Sequence, residues 1–348
     1  VFQFLLLHCI TLLKGERTYS AIHHALIGKK SSQTFQDIHA YGLTPYYGVY
    51  KSLKRTQLEE TLRAMQQDGT IAINEGVPVL AAKGRACYKE GLESYAHELT
   101  WFNGLSLQHM SEPVWSRLLL FVQTAANIVK GQHQFIPITD KPEYVSFVRK
   151  MYHEQKTQLS QSLTSLYNEL YPLLKDMPSE FAELITYRFT SANIYGMSKS
   201  QLAQHTHETV HDVEVKFSCS VHYILERAMA DSTNFPWLYT FIADQIQEIP
   251  ITESAKKTLD YINQGYSLQQ LTRIRRLKLS TIQDHIVEIA LVHPSFSIEP
   301  FISSKAAQDI SHQVKQLNTN RLKVIRESLG EQYSYFEIRL VLASLDAQ

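Results

Sequence analysis

Three short strings hold residue types that could do chemistry. His207-Glu208-Thr209-Val210-His211 satisfies the H-E-x-x-H pattern, in which two histidines one helical turn apart hold zinc and the glutamate activates water. Asp212 puts a charge where such helices are apolar, and no downstream third ligand is spaced to complete the set. These residues therefore read as the polar opening of a helix, with Glu208 favourable at its N-terminal dipole, and neither a metal nor a cofactor is expected. Gly28-Lys29-Lys30-Ser31 has the ending of a phosphate-binding loop, but His23 and His24 stand where the earlier glycine is required. Lys29 and Lys30 remain as point contacts for a phosphate. The third string, at 273–278, holds Arg273, Arg275, Arg276 and Lys278 and is followed by Thr281, Gln283 and His285. Cations there can grip phosphates beside a groove while the three polar side chains reach base edges. The competing reading is a solvated basic turn. Asp284 and Glu288, assigned to the exposed side of the same helix, would repel a nucleic-acid backbone, as would Glu59 and Glu60 on the helix at 55–67. This mixed sign points to protein contact for at least one module. Neither a G-x-S-x-G elbow nor a Cys-x-x-Cys set is present, so no enzyme is expected.

The elements that must position these strings are mostly helical. Residues 19–27, 33–41 and 55–67 read as three helices, the last with Leu58, Leu62 and Met65 at helical spacing. Strands at 70–74 and 77–81 then join across Glu75-Gly76 as a hairpin wing. This order is that of a winged helix, ringed by Lys29, Lys30, Lys51, Lys54, Arg55, Lys83 and Arg85. A surface stretch follows around Gly91, and a helix at 112–129 ends on Lys130-Gly131. Residues 143–175 read as two packed helices divided at Pro172. A second helix-turn-helix follows, with a helix closing at Ile185 and Phe189, a helix capped by Ser198 with Gln201, a turn at 204–206, and a third helix running from Thr206 toward Leu225. The Ile249-Pro250 pair marks a boundary.

The C-terminal stretch has the sharpest pattern. Thr252 and Ser254 cap a helix through Ile262 that Gly265 ends. Ser267 with Gln270 and Ser280 with Gln283 form capping boxes for two further helices. Leu268, Leu271 and Ile274 face Ile282, Ile286 and Ile289 across a tight turn. Ser334 with Glu337 caps a closing helix carrying Ile338, Val341, Leu342 and Leu345, and Tyr333, Tyr335 and Phe336 are expected in the core more than at an interface. The fold class expected is mainly α, built from several helix-turn-helix modules over domains 1–95, 96–248 and 249–348.

Composition agrees with such a modular chain. At 348 residues it exceeds a usual single domain, and 44% hydrophobic with 20% charged residues is globular. Its 34 basic and 34 acidic residues cancel, which excludes strong nucleic-acid binding through bulk charge and leaves only local patches. The apolar run at 1–13 is too short to span a membrane, carries Gln3 and His8, and lacks the features of a secretory signal. Three scattered cysteines fit reduced thiols. A cytoplasmic protein, free or at the nucleoid and without membrane contact, is expected.

The stretch YINQGYSLQQLTRIRRLKLSTIQDHIVEIA, with FSIEPFI and YSYFEIRLVLASL after it, resembles the helix-turn-helix domain at the C-terminus of some RecQ-type helicases. The likeness covers about the last hundred residues and is carried by Gly265, Leu268, Leu271, Arg275, Ser280, Thr281, Ile282 and His285. The chain as a whole resembles the YpbB family of Firmicutes, in which that domain stands on a separate protein whose gene neighbours a RecQ-type helicase. The resemblance implies a helicase-associated adaptor or DNA-binding subunit and supplies no catalytic residue, with Arg275, Thr281 and His285 as contacts for a partner. Two other classes compete with it: a free-standing transcriptional regulator of the helix-turn-helix type and, through the H-E-x-x-H string, a metal-dependent hydrolase.

Overall fold

The computed structural model describes residues 1–246, 251–293, 295–317 and 319–346; Ile249 and Pro250, expected to mark a boundary, lie outside them. Along the chain, α1 (Phe2–Leu13) is apolar nearly all round and buried accordingly, the signature of a core helix. Among the described residues no helix is long and apolar enough to cross a membrane. Next come α2 (Tyr19–Leu26), α3 (Ser32–Ala40), which Ser31 caps by accepting from Thr34 N, and α4 (Arg55–Gln67) with Leu58, Leu62 and Met65 inward. Strands β1 (Ile71–Asn74) and β2 (Val77–Leu80) pair antiparallel with Asn74 opposite Val77. Glu75 and Gly76, at φ 49 and 78, make the tight turn whose two left-handed residues match strand twist.

At Gly91 the expected surface stretch is instead the middle of α5 (Ala82–Leu99). A Cβ at Gly91 would lie 2.2 Å from the Phe4 ring, so this glycine serves close packing and does not break the helix. Then follow α6 (Gly104–Leu107), α7 (Ser111–Val129), α8 (Pro142–Gln155) and α9 (Leu159–Asp176). Residues 143–175 do form two helices, but the break is at 156–158. Pro172 lies inside α9, where it takes away one backbone hydrogen bond without ending the helix. The chain continues through α10 (Ser179–Thr186), α11 (Lys199–Thr206), α12 (Val210–Ala230) and α13 (Pro236–Ile242). The C-terminal stretch holds α14 (Glu253–Asn263), α15 (Leu268–Arg275), α16 (Leu279–Val292), α17 (Ser304–Leu317), α18 (Leu322–Ser328) and α19 (Tyr335–Asp346). The fold is mainly α, with one two-stranded sheet among the described residues.

The chain groups into two compact units assembled from separate segments. One comprises Val1–Leu6, Gly48–Ser52 and Ala86–Ile246; the other comprises Leu7–Tyr47, Leu53–Arg85 and the stretch from 247 onward. Residues 1–95 thus contribute to both. In the first unit α12 is the central helix, burying Val213, Val221, Ile224 and Ala228 among α7, α10, α11 and α13. Trp101 meets Tyr223 at 4.5 Å and Trp115 meets Phe217 edge-on at 5.4 Å. In the second unit α16 is the hub. Packed on it are α14, α15, α19 and, from the winged-helix segment, α3, while α17 and α18 lie against α19. Ile282, Ile286 and Ile289 are wholly buried, as is Ile338 on α19.

Candidate nucleic-acid or partner interface

The α15–turn–α16 segment is framed from both ends. Ser267 accepts from Gln270 N while Gln270 Oε1 accepts from Ser267 N, so the capping box that opens α15 is complete. Leu271 is fully buried and anchors the helix. Arg276 closes α15 in the left-handed conformation, φ 50, and the chain re-enters a helix after Leu277 and Lys278.

Of the expected contact residues, Arg275 and His285 turn inward. Arg275 donates from Nη1 to Ser254 O at 3.0 Å and to Thr258 Oγ1 at 2.6 Å, and Thr258 Oγ1 shares a 2.8 Å hydrogen bond with His285 Nδ1. This chain ties α14, α15 and α16 together. His285 is 7% exposed and is held below the ordinary histidine pKa by burial first and by Arg275 second. It is a neutral packing residue and reaches no base. The reason is register: it lies three residues beyond Ile282, on the stripe that faces α14.

Three further expectations are corrected on α16 and α15. Ser280 does not cap, since Lys278 occupies the N-cap position and makes no side-chain cap bond. Glu288 is 3% exposed and accepts from Thr252 N and Oγ1, so it fastens the start of α14 instead of facing solvent. Burial raises its pKa. Ile274 is 42% exposed and faces away from the core. Asp284 pairs with Arg339 of α19 at 2.5 Å, so its charge is met within the protein.

The outward set is then Arg273, Arg276 and Lys278, all exposed and without an ion-pair partner among the described residues. Beside them stand Ser280, the half-buried Thr281 and Gln283, and the exposed apolar side chains of Ile274 and Leu279. Because α16 is buried on every side from His285 to Leu291, only its first turn is open to a groove or a partner.

The winged-helix basic residues are more dispersed. Lys30 is exposed and close enough to Glu288 to act on it electrostatically, whereas Lys29 Nζ lies 3.2 Å from His24 Nε2. Gly28 ends α2 with φ 68 and Ser31 caps α3, so that string is helix punctuation. Arg55 pairs with Glu59, Lys83 with Asp68, and Arg85 donates to Leu80 O. Lys54 is exposed at the start of α4. Lys51 belongs to the other unit, where it donates to Gln108 O.

The H-E-x-x-H string does not lie on one helix. His207 is the left-handed end of α11, Thr209 caps α12, and the turn is at 207–209, three residues later than expected. Glu208 pairs with Lys216 at 2.7 Å, while His211 Nδ1 shares a hydrogen bond with Tyr50 OH and stacks on Phe2. The one-turn helical spacing that an H-E-x-x-H zinc site uses is therefore absent here. Sequence reasoning missed Lys216, which is 2% exposed and held by Glu180 and Glu208. The visible signal was a lone lysine between Val213 and Phe217 on an apolar face. Among the aromatics near the C-terminus, Phe336 is buried, Tyr333 donates to Asp309, and Tyr335 is 43% exposed beneath the Arg326 guanidinium.

Comparison with known proteins agrees with this geometry. A family model described as a helix-turn-helix domain matches residues 254–342, the span from α14 to α19. Protein YpbB of Bacillus subtilis (strain 168) is 31% identical over 346 residues, covering 98% of this chain and 96% of that protein. The chain belongs to the YpbB family. No solved structure matches it. The match to that relative runs through segments of both units.

Proposed function

We propose that this protein is a non-catalytic accessory subunit that docks on a RecQ-type helicase and adds weak DNA contacts during replication, recombination or repair. The observation that carries the reading is the exposed Arg273, Arg276 and Lys278 trio on a rigid three-helix frame, next to the open first turn of α16. Cations without carboxylate partners suit phosphate oxygens, and the exposed Ile274 and Leu279 among them suit a protein surface. The motor's identity rests on the resemblance of the C-terminal stretch to a domain on some RecQ-type helicases. The setting this implies is the cytoplasm, at or near the nucleoid.

Two measurements test it. Arg273→Ala, Arg276→Ala and Lys278→Ala together should reduce the slope of log affinity against log salt for duplex DNA by about 2 to 3, from roughly 0.9 per lost phosphate contact. The purified protein should also co-elute with the RecQ-type helicase of the same cell and change its unwinding of a forked duplex, while hydrolysing no ATP alone. Separate elution at micromolar concentration with unchanged unwinding would leave a helix-turn-helix transcriptional regulator as the better account.

A further inference from the structure

A cavity of about 380 Å³ opens in the first unit, walled by the Gly48–Ser52 segment, Gln108, the first turns of α7, Arg188, Lys199 and the middle of α12. That volume is in the range of small-molecule sites. Gly48 lets the wall close, since it stands at φ 72 and a Cβ there would lie 2.8 Å from Gln108 Cβ. Three cations line the space, Lys51, Arg188 and Lys199, against two carboxylates, Glu112 and Glu214.

Both carboxylates are engaged. Glu214 is ion-paired with Lys199, and Glu112 accepts from Tyr144 and from Lys141, a fourth cation outside the lining. Arg188 has no carboxylate partner among the described residues; its Nη1 donates to Met197 O, and its Nε is buried without a hydrogen-bond partner. Trp115, 6% exposed, likewise has a buried Nε1 with no partner. With three cations against two carboxylates, both of them already engaged, the cavity keeps a positive excess that suits an anion, and Arg188 is the lining cation whose guanidinium no carboxylate pairs among the described residues. Phe217 supports two of the cations, with Lys199 Nζ 4.6 Å and the Arg188 guanidinium 5.9 Å from its ring centre.

We infer that this cavity binds a small organic anion carrying a phosphate or carboxylate group, with Arg188 as its anchor and Lys199 and Lys51 flanking it. The site goes beyond the adaptor reading, which rests on residues of the other unit. Isothermal titration of the intact protein at low salt, with a nucleoside monophosphate, citrate and inorganic phosphate as probes, tests it. One organic anion should bind once per chain with a dissociation constant below about 1 mM. Binding of the nucleotide alone assigns the phosphate, and binding of citrate alone assigns the carboxylate. Arg188→Gln should weaken that binding at least tenfold, and so should Ser218→Phe, which fills the space without changing charge. Thermal melts identify either variant that fails to fold, and the other then carries the test. No heat with any probe, affinity unchanged in the folded variants, or inorganic phosphate binding as tightly as the organic anions would overturn the inference.

Discussion

The α11–α12 turn in the first unit and the α15–α16 turn in the second are the same backbone device. Ser198 and Ser267 each open the leading helix with a complete capping box, to Gln201 and Gln270. Leu202 and Leu271 are each fully buried one residue later, His207 and Arg276 each close that helix in the left-handed region, and Val213 and Ile282 each lock the following helix into the core. Val210 and Leu279, the first residues of those second helices, are both exposed. What differs is the side chains at four matched positions. Gln204, Thr206, His207 and Thr209 stand in one turn where Arg273, Arg275, Arg276 and Lys278 stand in the other. Helix-turn-helix geometry thus specifies packing, and only the second turn adds the charge that a phosphate or an acidic partner needs. Nor does the left-handed conformation single out Arg276, since His207 shares it without a basic surface around it.

If the two turns are one device, their anchors should matter equally. Leu202→Ala and Leu271→Ala are each expected to cost about 2–5 kcal/mol, the range for truncating a fully buried leucine. Urea unfolding checks this, and a loss under about 1 kcal/mol at either site would break the equivalence. A smaller asymmetry should appear one helical turn after Val213 and Ile282, where Lys216 matches His285. Burial alone would lower the Lys216 pKa, but hydrogen bonds to Glu180 and Glu208 leave it raised. Lys216→Met should cost about 3 kcal/mol, the low end for breaking a buried ion pair, because the Glu180 side chain is 41% exposed.

The same pair predicts opposite responses to pH. Lys216, with its pKa raised, contributes stability that is present below the ordinary lysine value of 10.5 and is lost as pH rises through the folded value. His285, with its pKa lowered, is neutral when folded. Below the ordinary 6.5 the unfolded chain takes up a proton that the folded one does not, and stability falls with pH until the folded value is reached. The slope is at most about 1.4 kcal/mol per pH unit for one histidine. The protection of the α15 and α16 amides, taken relative to their intrinsic exchange rates at each pH, should therefore fall between pH 6.5 and 5 in the native protein and fall less in His285→Gln. An equal fall in both would remove His285 as the cause.

Much of this was legible in the sequence, and the failures share a cause. Capping boxes at Ser198, Ser267 and Ser334, the hairpin at Glu75-Gly76 and the periodic leucines of α4 are local signals, and local chemistry decides them. Gly91 was misread because what it accommodates, the Phe4 ring, lies far away in sequence. His285 and Glu288 were misread because α16 is covered on several sides, including by α3, so a polar residue there is inside whatever its type. The cavity around Arg188 is not legible in the sequence, since its walls come from five separated stretches of chain.

Lys278 gives the finest test of the comparison. At the matched position Thr209 caps α12 by accepting from Asp212 N at 3.1 Å, whereas Lys278 stands at the N-cap of α16 and makes no such bond. A lysine there forgoes about 1 kcal/mol that a threonine would supply, and its cation sits where the positive end of the helix dipole disfavours it. Local rules broken without a packing gain are found where a surface serves something other than stability. Lys278→Thr should therefore stabilise the protein by about 0.5–1 kcal/mol in urea unfolding. It should also lower the salt slope of DNA binding by about 0.9, one phosphate contact. Stabilisation with an unchanged slope would show that Lys278 touches no phosphate and would move the contact to Arg273 and Arg276. A loss of stability would show that the lysine stem packs on the exposed face of α16, and the two turns would then differ in their packing as well as in their charge.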